Sequence, residues 1–277
     1  MTGALGIIAG GGELPRAIAQ SARDAGRDVF VLAINGMTGE WARDFPSEWL
    51  SLGEPGGAIK AFRAHNCSDV TLAGRVQRPK FSALKLDMKG VLIAPRVIAA
   101  ALKGDDALLR SLVDIFEREG FRIVGAAEAA PDLIAKEGVM GRVRPSAENE
   151  ADIAQAFKIA RAIGALDVGQ AAIVCEGLAL AVEAAEGTDA MIARVLQLPE
   201  HFRGSKAKPR GVLVKAPKPI QDGKTDLPVV GVETIRRAAE VALAGVAVEA
   251  GGALFVDREA IVAEADALGL FLTGVAR

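Results

Sequence analysis

The sequence predicts an α/β protein in two parts: a Rossmann-like N-terminal domain and a distinct C-terminal α/β (α+β) domain. Three observations predict it. A chain of 277 residues is long enough for two domains of ordinary size, and 51% apolar residues supply a core for each. Up to residue 130, short continuous apolar runs alternate with helix-period segments, the pattern of buried parallel strands joined by crossover helices. Beyond residue 145 the pattern changes to one long helix followed by a hairpin-like pair. The expected boundaries are 1–130 for the first domain and 146–277 for the second, which carries most of the catalytic candidates. Residues 131–145, with Pro131, Gly138, Gly141 and Pro145, read as a linker.

In the first domain Leu5–Ala9 is an apolar strand that ends on Gly10, Gly11 and Gly12. Leu14, Ile18, Ala22 and Ala25 then recur at helical spacing, with Pro15 in the first turn and Gly26 after the last. Val29–Ile34 is a second strand. A glycine turn at a helix N-terminus suits an anion, so Gly10, Gly11 and Gly12 are candidates for binding a phosphate or a sugar. The full dinucleotide fingerprint is missing: no G-x-G-x-x-G is completed, and the second strand ends at Ile34-Asn35 without the acid that holds a ribose. A nicotinamide-dependent oxidoreductase therefore stands only as a rival. A helix at Ala58–His65 and a strand at Asp69–Ala73 lead into a loop with Arg75, Arg78 and Lys80. These cations suit a diphosphate, or make a solvated basic loop. Helices at Ala94–Lys103 and Asp105–Glu119 and a strand at Phe121–Gly125 complete the domain.

In the second domain Ser146 is placed to cap a helix running to about Ala165. Two apolar runs around Glu176-Gly177 read as a hairpin. Glu183, Glu186 and Asp189 follow closely. Three carboxylates at a strand-to-helix junction repel one another unless a cation is shared. Thr188 and Asp189 also suit a helix cap and the helix dipole. A strand at Gly211–Lys215 feeds the stretch VLVKAPKPIQDGKTDLPVVG from Val212, with prolines at 217, 219 and 228 and the polar residues Lys215, Lys218, Gln221, Asp222, Lys224 and Asp226. Ammonium and carboxylate groups alternating on a stiffened loop suit a phosphate and a hard metal ion, or else a charged surface loop. A helix at Val232–Ala244, strands at Val246–Glu249 and Ala253–Val256 and a helix at Arg258–Leu268 follow.

Composition narrows the function. The chain has no Tyr and 4% aromatic residues, which disfavours a nucleic-acid platform, and a formal charge of −2 disfavours a general polyanion binder. Seven Lys/Arg against one acid between Arg203 and Lys224 make a local basic patch. Cys67 and Cys175 are isolated, which argues against zinc and disulfides, and two histidines cannot form a His-rich metal site. No signal peptide and no apolar run of about 18 residues is present, so the reading is a soluble cytoplasmic protein.

Five stretches, GIIAGGGELP, GRVQRP, DVGQAAIV, VEAAEGTDAMIAR and VLVKAPKPIQDGKTDLPVVG, run in order along nearly the whole chain. They resemble the UDP-2,3-diacylglucosamine pyrophosphatases of the lipid A pathway, in the two-domain family unrelated to the metallophosphoesterase type. The resemblance implies hydrolysis of UDP-2,3-diacylglucosamine to 2,3-diacylglucosamine 1-phosphate (lipid X) and UMP, with water attacking the uridine-side phosphorus. It implies a divalent cation, Mg2+ or Mn2+, and a ligand held between two domains, and it marks Asp226 as essential. Asp226, Asp189 and Gln221 are then the catalytic candidates. Asp226, Asp189, Glu186 and Asp222 are the metal candidates. Gly10, Gly11, Gly12, Arg75, Gln170, Thr188, Lys215 and Lys218 are the substrate-binding candidates. A peripheral contact with the inner membrane and a homodimer are compatible with this reading, and a non-enzymatic glycolipid- or nucleotide-binding protein is its second rival.

Overall fold

The computed structural model describes residues 3–76, 84–219 and 227–276. It divides into two compact units, Met1–Asp132 and Leu133–Arg277.

The first unit carries β1 (Ala4–Ala9), α1 (Leu14–Asp24), β2 (Val29–Ile34), β3 (Ser47–Leu50), α2 (Pro55–Ala64) and β4 (Cys67–Ala73). After these come α3 (Met88–Ala101), α4 (Asp105–Arg118), β5 (Arg122–Ile123) and α5 (Ala126–Ala129). Its five strands are all parallel, in the order β3-β2-β1-β4-β5. The chain thus reverses its direction of travel across the sheet between β1 and β4, where open parallel sheets leave a crevice at the strands' C-terminal ends. Phe30 and Leu32 of β2 pack with Ala58 and Phe62 of α2 and Phe116 of α4 on one face. Gly6 lets α2 approach, since a Cβ there would lie 2.7 Å from the Phe62 ring.

Two elements depart from expectation. β3 is an edge strand that is only partly buried, so Ser47-Glu48-Trp49-Leu50 shows no apolar run. α3 begins at Met88, not Ala94, because Asp87 caps it by accepting from Gly90 N at 2.6 Å. Pro95 suggests a first turn near Ala94 but sits inside the helix, where it removes one intrahelical donor.

The second unit carries β6 (Gly138–Met140), α6 (Ala147–Ala165), β7 (Ala171–Cys175), β8 (Leu178–Val182), α7 (Gly187–Arg194) and β9 (Val212–Lys215). The remainder is β10 (Val229–Val230), α8 (Val232–Glu240), β11 (Gly245–Glu249), β12 (Leu254–Phe255), α9 (Arg258–Leu268) and β13 (Phe271–Val275). Its main sheet has the order β6-β13-β11-β9-β7-β8. β9, β11 and β13 are parallel, and the flanking pairings are antiparallel. Strand alternation sends Ile173, Leu213, Val246 and Val248 toward α7, α8 and α9. Ala172, Val174, Val214 and Ala247 face α6 on the other side.

The segment 131–145 is not a free linker. β6 pairs with β13, and Ala135 is buried in the core. A three-residue edge strand that starts on Gly138 and is followed by Gly141 gives no periodicity to read, and its partner β13 was not anticipated either. α8 also ends early, at Glu240, because Ala242 adopts φ 58° ahead of β11. The hairpin does form as expected. Glu176 and Gly177 have φ 50° and 77°, the left-handed pair that a two-residue turn needs. The buried Asp152 carboxylate accepts from both of their N–H groups, at 2.9 and 2.7 Å.

Candidate active site

In the first unit the glycine turn leaves β1 and meets the loop that leaves β4. Gly10 N donates to Ala73 O, and Gly11 and Arg75 exchange N–H···O bonds, all at 2.8 Å. A Cβ on Gly10 would sit 2.6 Å from Arg75 O. The first two glycines therefore serve close backbone approach, and their N–H groups are already used. Gly12, at φ 89°, turns the chain into α1. Donors for an anion begin there and continue into the first turn of α1, whose N–H groups precede any intrahelical acceptor. Arg75 follows Gly74, which holds φ 90°. Arg78 and Lys80 lie outside the described residues.

The second unit gathers its polar groups at one end of the main sheet. Lys215 ends β9, Gln170 precedes β7 and Glu183 follows β8, and the register places all three side by side. Ala216 N donates to Gln170 O at 3.0 Å, and Glu183 N to Ala171 O at 2.9 Å. The buried Glu183 carboxylate braces the end of the hairpin. It accepts from Gln170 N at 3.0 Å and from Thr188 Oγ at 2.6 Å. Gly169 must lack a side chain, since a Cβ would fall 2.2 Å from Glu183 O. With its backbone held on both sides, Gln170 keeps a buried side-chain Oε1 that has no hydrogen-bond partner among the described residues. An unsatisfied buried acceptor of this kind is costly unless a ligand completes it.

Lys215 is buried, 6% exposed, and its Nζ donates to Val229 O at 2.8 Å. Lys218 Nζ lies 2.8 Å from Asp167 Oδ1. Behind them Glu249 of β11 is paired with Arg161 of α6 at 2.9 Å. Lys215 and Gln170 lie at the same end of the sheet, at neighbouring strands.

The three clustered carboxylates separate. Glu183 takes the bracing role, Glu186 pairs with Arg194 at 2.7 Å, and Asp189 lies 3.7 Å from the Arg237 guanidinium. Among the described residues no group of three or more His, Cys, Asp or Glu could hold a metal. Glu186 is held by Arg194, and Asp189 sits beside Arg237. Gln221, Asp222, Lys224 and Asp226 lie outside the described residues. Carboxylate oxygens are the hard donors that magnesium takes, and the described residues alone do not assemble a set of them.

Sequence reasoning did not single out Glu183 or Asp167 as positioning groups. A buried acid directly after a strand, before a G-T pair, was the available signal. It also missed Asp69, buried on β4 and clamped by Arg122 and Arg27. These guanidiniums, Arg122 first, hold its carboxyl below the usual range. The remaining groups with nucleophilic potential stand aside. Burial pushes the Cys67 thiol up to about 11 and raises Cys175, and the His65 ring stacks on Phe30 at 4.0 Å.

Fold and site together define a two-unit α/β protein with a glycine–arginine turn in one unit and a braced lysine–glutamine site in the other. Two family models match the chain in order, "LpxI N-terminal domain" over residues 4–133 and "LpxI C-terminal domain" over residues 136–273. The chain belongs to the LpxI family. It is 51% identical over 271 residues to the UDP-2,3-diacylglucosamine pyrophosphatase LpxI of Caulobacter vibrioides, covering 98% of this chain and 97% of that protein.

Proposed function

We propose that this protein hydrolyses UDP-2,3-diacylglucosamine to 2,3-diacylglucosamine 1-phosphate (lipid X) and UMP, a step of lipid A biosynthesis. The observation that carries the proposal is 51% identity, over nearly the full length of both chains, to a pyrophosphatase named for that substrate. The geometry supports it. Lys215 and Lys218 offer cations to a diphosphate, and the orphaned Gln170 Oε1 offers an acceptor to a sugar hydroxyl or amide N–H. In the first unit Gly12, the first turn of α1 and Arg75 supply donors at the C-terminal end of a parallel sheet whose strand order supports a Rossmann-like reading.

In the proposed reaction a water oxygen attacks the uridine-side phosphorus and the bridging P–O bond breaks. The sugar leaves as its 1-phosphate, and the water oxygen stays in UMP. Asp226 accepts the water's proton, and Gln221 orients the water. A magnesium (or manganese) ion, held by Asp226, Asp222 and Asp189, would supply charge neutralisation at the diphosphate. Thr188 positions the start of α7 through Glu183.

The same reading places the protein in the cytoplasm, at the surface of the inner membrane. No helix among the described residues is long and apolar enough to cross a bilayer. α3 nonetheless turns Met88, Leu92 and, just past its end, Leu102 outward, 92, 79 and 83% exposed, at the spacing of a single helix face. Turnover of UDP-diacylglucosamine in oxygen-labelled water tests the reaction. Label in UMP is expected, whereas label in the sugar phosphate, or absence of turnover, overturns it.

A further inference from the structure

α6 closes on a Schellman turn. Asp167 N donates to Gly164 O at 3.1 Å and Val168 N to Ile163 O at 3.0 Å. Asp167 takes φ 56°, the left-handed region where glycine costs least. Just past their last turns α1, α4 and α9 place Gly26, Gly120 and Gly269 there, at φ 78°, 91° and 73°. A carboxylate also adds negative charge at the negative end of the helix dipole. The helix end thus gains nothing from this side chain, and its use lies elsewhere.

The carboxylate meets Lys218. Asp167 Oδ1 accepts from Lys218 Nζ at 2.8 Å, with the two side chains 32 and 16% exposed. Pro217 and Pro219 flank that lysine, and neither has an N–H to tie the chain down. The segment is held from the side instead. Ala216 N donates to Gln170 O at 3.0 Å. The last turn of α6 runs against the same backbone, where a Cβ on Gly164 would lie 3.4 Å from Lys218 Cα. The turn 164–170 therefore grips 216–219 by a backbone bond at one point and an ion pair at the other. An ammonium has three donors, so this pair leaves others to face a phosphate oxygen.

We propose that Asp167 is a positioning residue, which fixes where Lys218 presents its ammonium to the diphosphate of the substrate. The inference rests on the reaction proposed above. A lysine head on its flexible four-carbon stem samples many rotamers, and a carboxylate fixed at a helix end selects those that keep the pair. The left-handed backbone makes the role separable from folding. Glycine suits that turn and removes the unfavourable charge, so Asp167→Gly deletes the ion pair while keeping the helix end.

The experiment measures thermal melting and turnover of UDP-2,3-diacylglucosamine for Asp167→Gly, Lys218→Met and the double variant. Asp167→Gly is expected to melt close to the unaltered protein. Its kcat/KM should fall roughly ten- to a hundredfold, the scale of a misplaced group. In the Lys218→Met background the same change should cost nothing further, because the group it places is gone. Asp167→Asn, which keeps a weaker acceptor and tolerates the same backbone, should fall between, and it carries the cycle should Asp167→Gly fold poorly. Wild-type kcat/KM in Asp167→Gly, or an equal loss in the Lys218→Met background, would overturn the positioning role. Where Lys218→Met is too slow to follow, calorimetric affinity for UDP reads the same cycle with the same two outcomes. Failure of the unaltered protein to hydrolyse the substrate would instead overturn the reaction itself.

Discussion

Gly11 and Arg75, far apart in sequence, exchange backbone hydrogen bonds of 2.8 Å in both directions. This bridge ties the turn after β1 to the loop after β4 and fixes where Arg75 begins.

Gly10→Ala is the direct test of the bridge. Its Cβ would meet Arg75 O at 2.6 Å, so the two loops must part. The expected outcome is a loss of kcat/KM of up to about a hundredfold, the scale of a misplacement near 1 Å. A thermal melt should change less than the rate. Kinetics at wild-type level would show that the bridge has no part in the site.

In the second unit the brace can be removed at either end. Gly169→Ala places a Cβ 2.2 Å from Glu183 O, and Glu183→Gln weakens the bonds to Gln170 N and Thr188. Both variants should raise KM more than they lower stability, because they release Gln170 Oε1 from its fixed position. Glu183→Gln, which keeps the shape, should be the gentler of the two. Binding of the uncleaved substrate by calorimetry checks the order.

Asp69 gives a prediction for pH. Its carboxyl is lowered from 3.8, first by Arg122 and then by Arg27. A depressed carboxylate contributes stability that is fully present above its unfolded value and is lost as pH falls through the folded value. Stability of the first unit should therefore decline on acidification below about pH 4. Asp69→Asn should show a shallower decline there and cost about 2 kcal/mol at neutral pH, since Arg122 is largely solvated while Arg27 is half-buried. Hydrogen exchange in peptides from β4 and β5, followed against pH, measures both.

Asp226 is expected to dominate the chemistry. Pro228 biases Leu227, the residue after Asp226, toward extended backbone. Asp226→Ala should lower turnover by roughly a hundredfold or more while substrate still binds. Exhaustive chelation should abolish turnover of the unaltered protein, and magnesium or manganese should restore it. A variant that merely melts earlier, with normal turnover per folded molecule, would remove Asp226 from the mechanism. Full activity after chelation would remove the ion.

Much was legible from the chain alone, because those features are local. Continuous apolar runs marked β1 and β2, Ser146 as an N-cap marked the start of α6, and Glu176-Gly177 marked the hairpin turn. The motifs that identify the family are contiguous stretches, so they too needed no fold. Short partly buried strands escaped, since β3 and β6 take their stability from a neighbour and carry no period of their own.

The tertiary structure alone decided which polar residues act together. In sequence Glu183, Glu186 and Asp189 form one acidic cluster. In space each goes to a different partner, because strand register aims Glu183 at Gln170 while helix α7 carries the other two toward Arg194 and Arg237. Likewise the triple glycine reads as a row of free N–H donors, yet the approach of the β4 loop consumes the first two. A hydrogen bond depends on distance and direction, which pairing across a sheet supplies and sequence spacing does not.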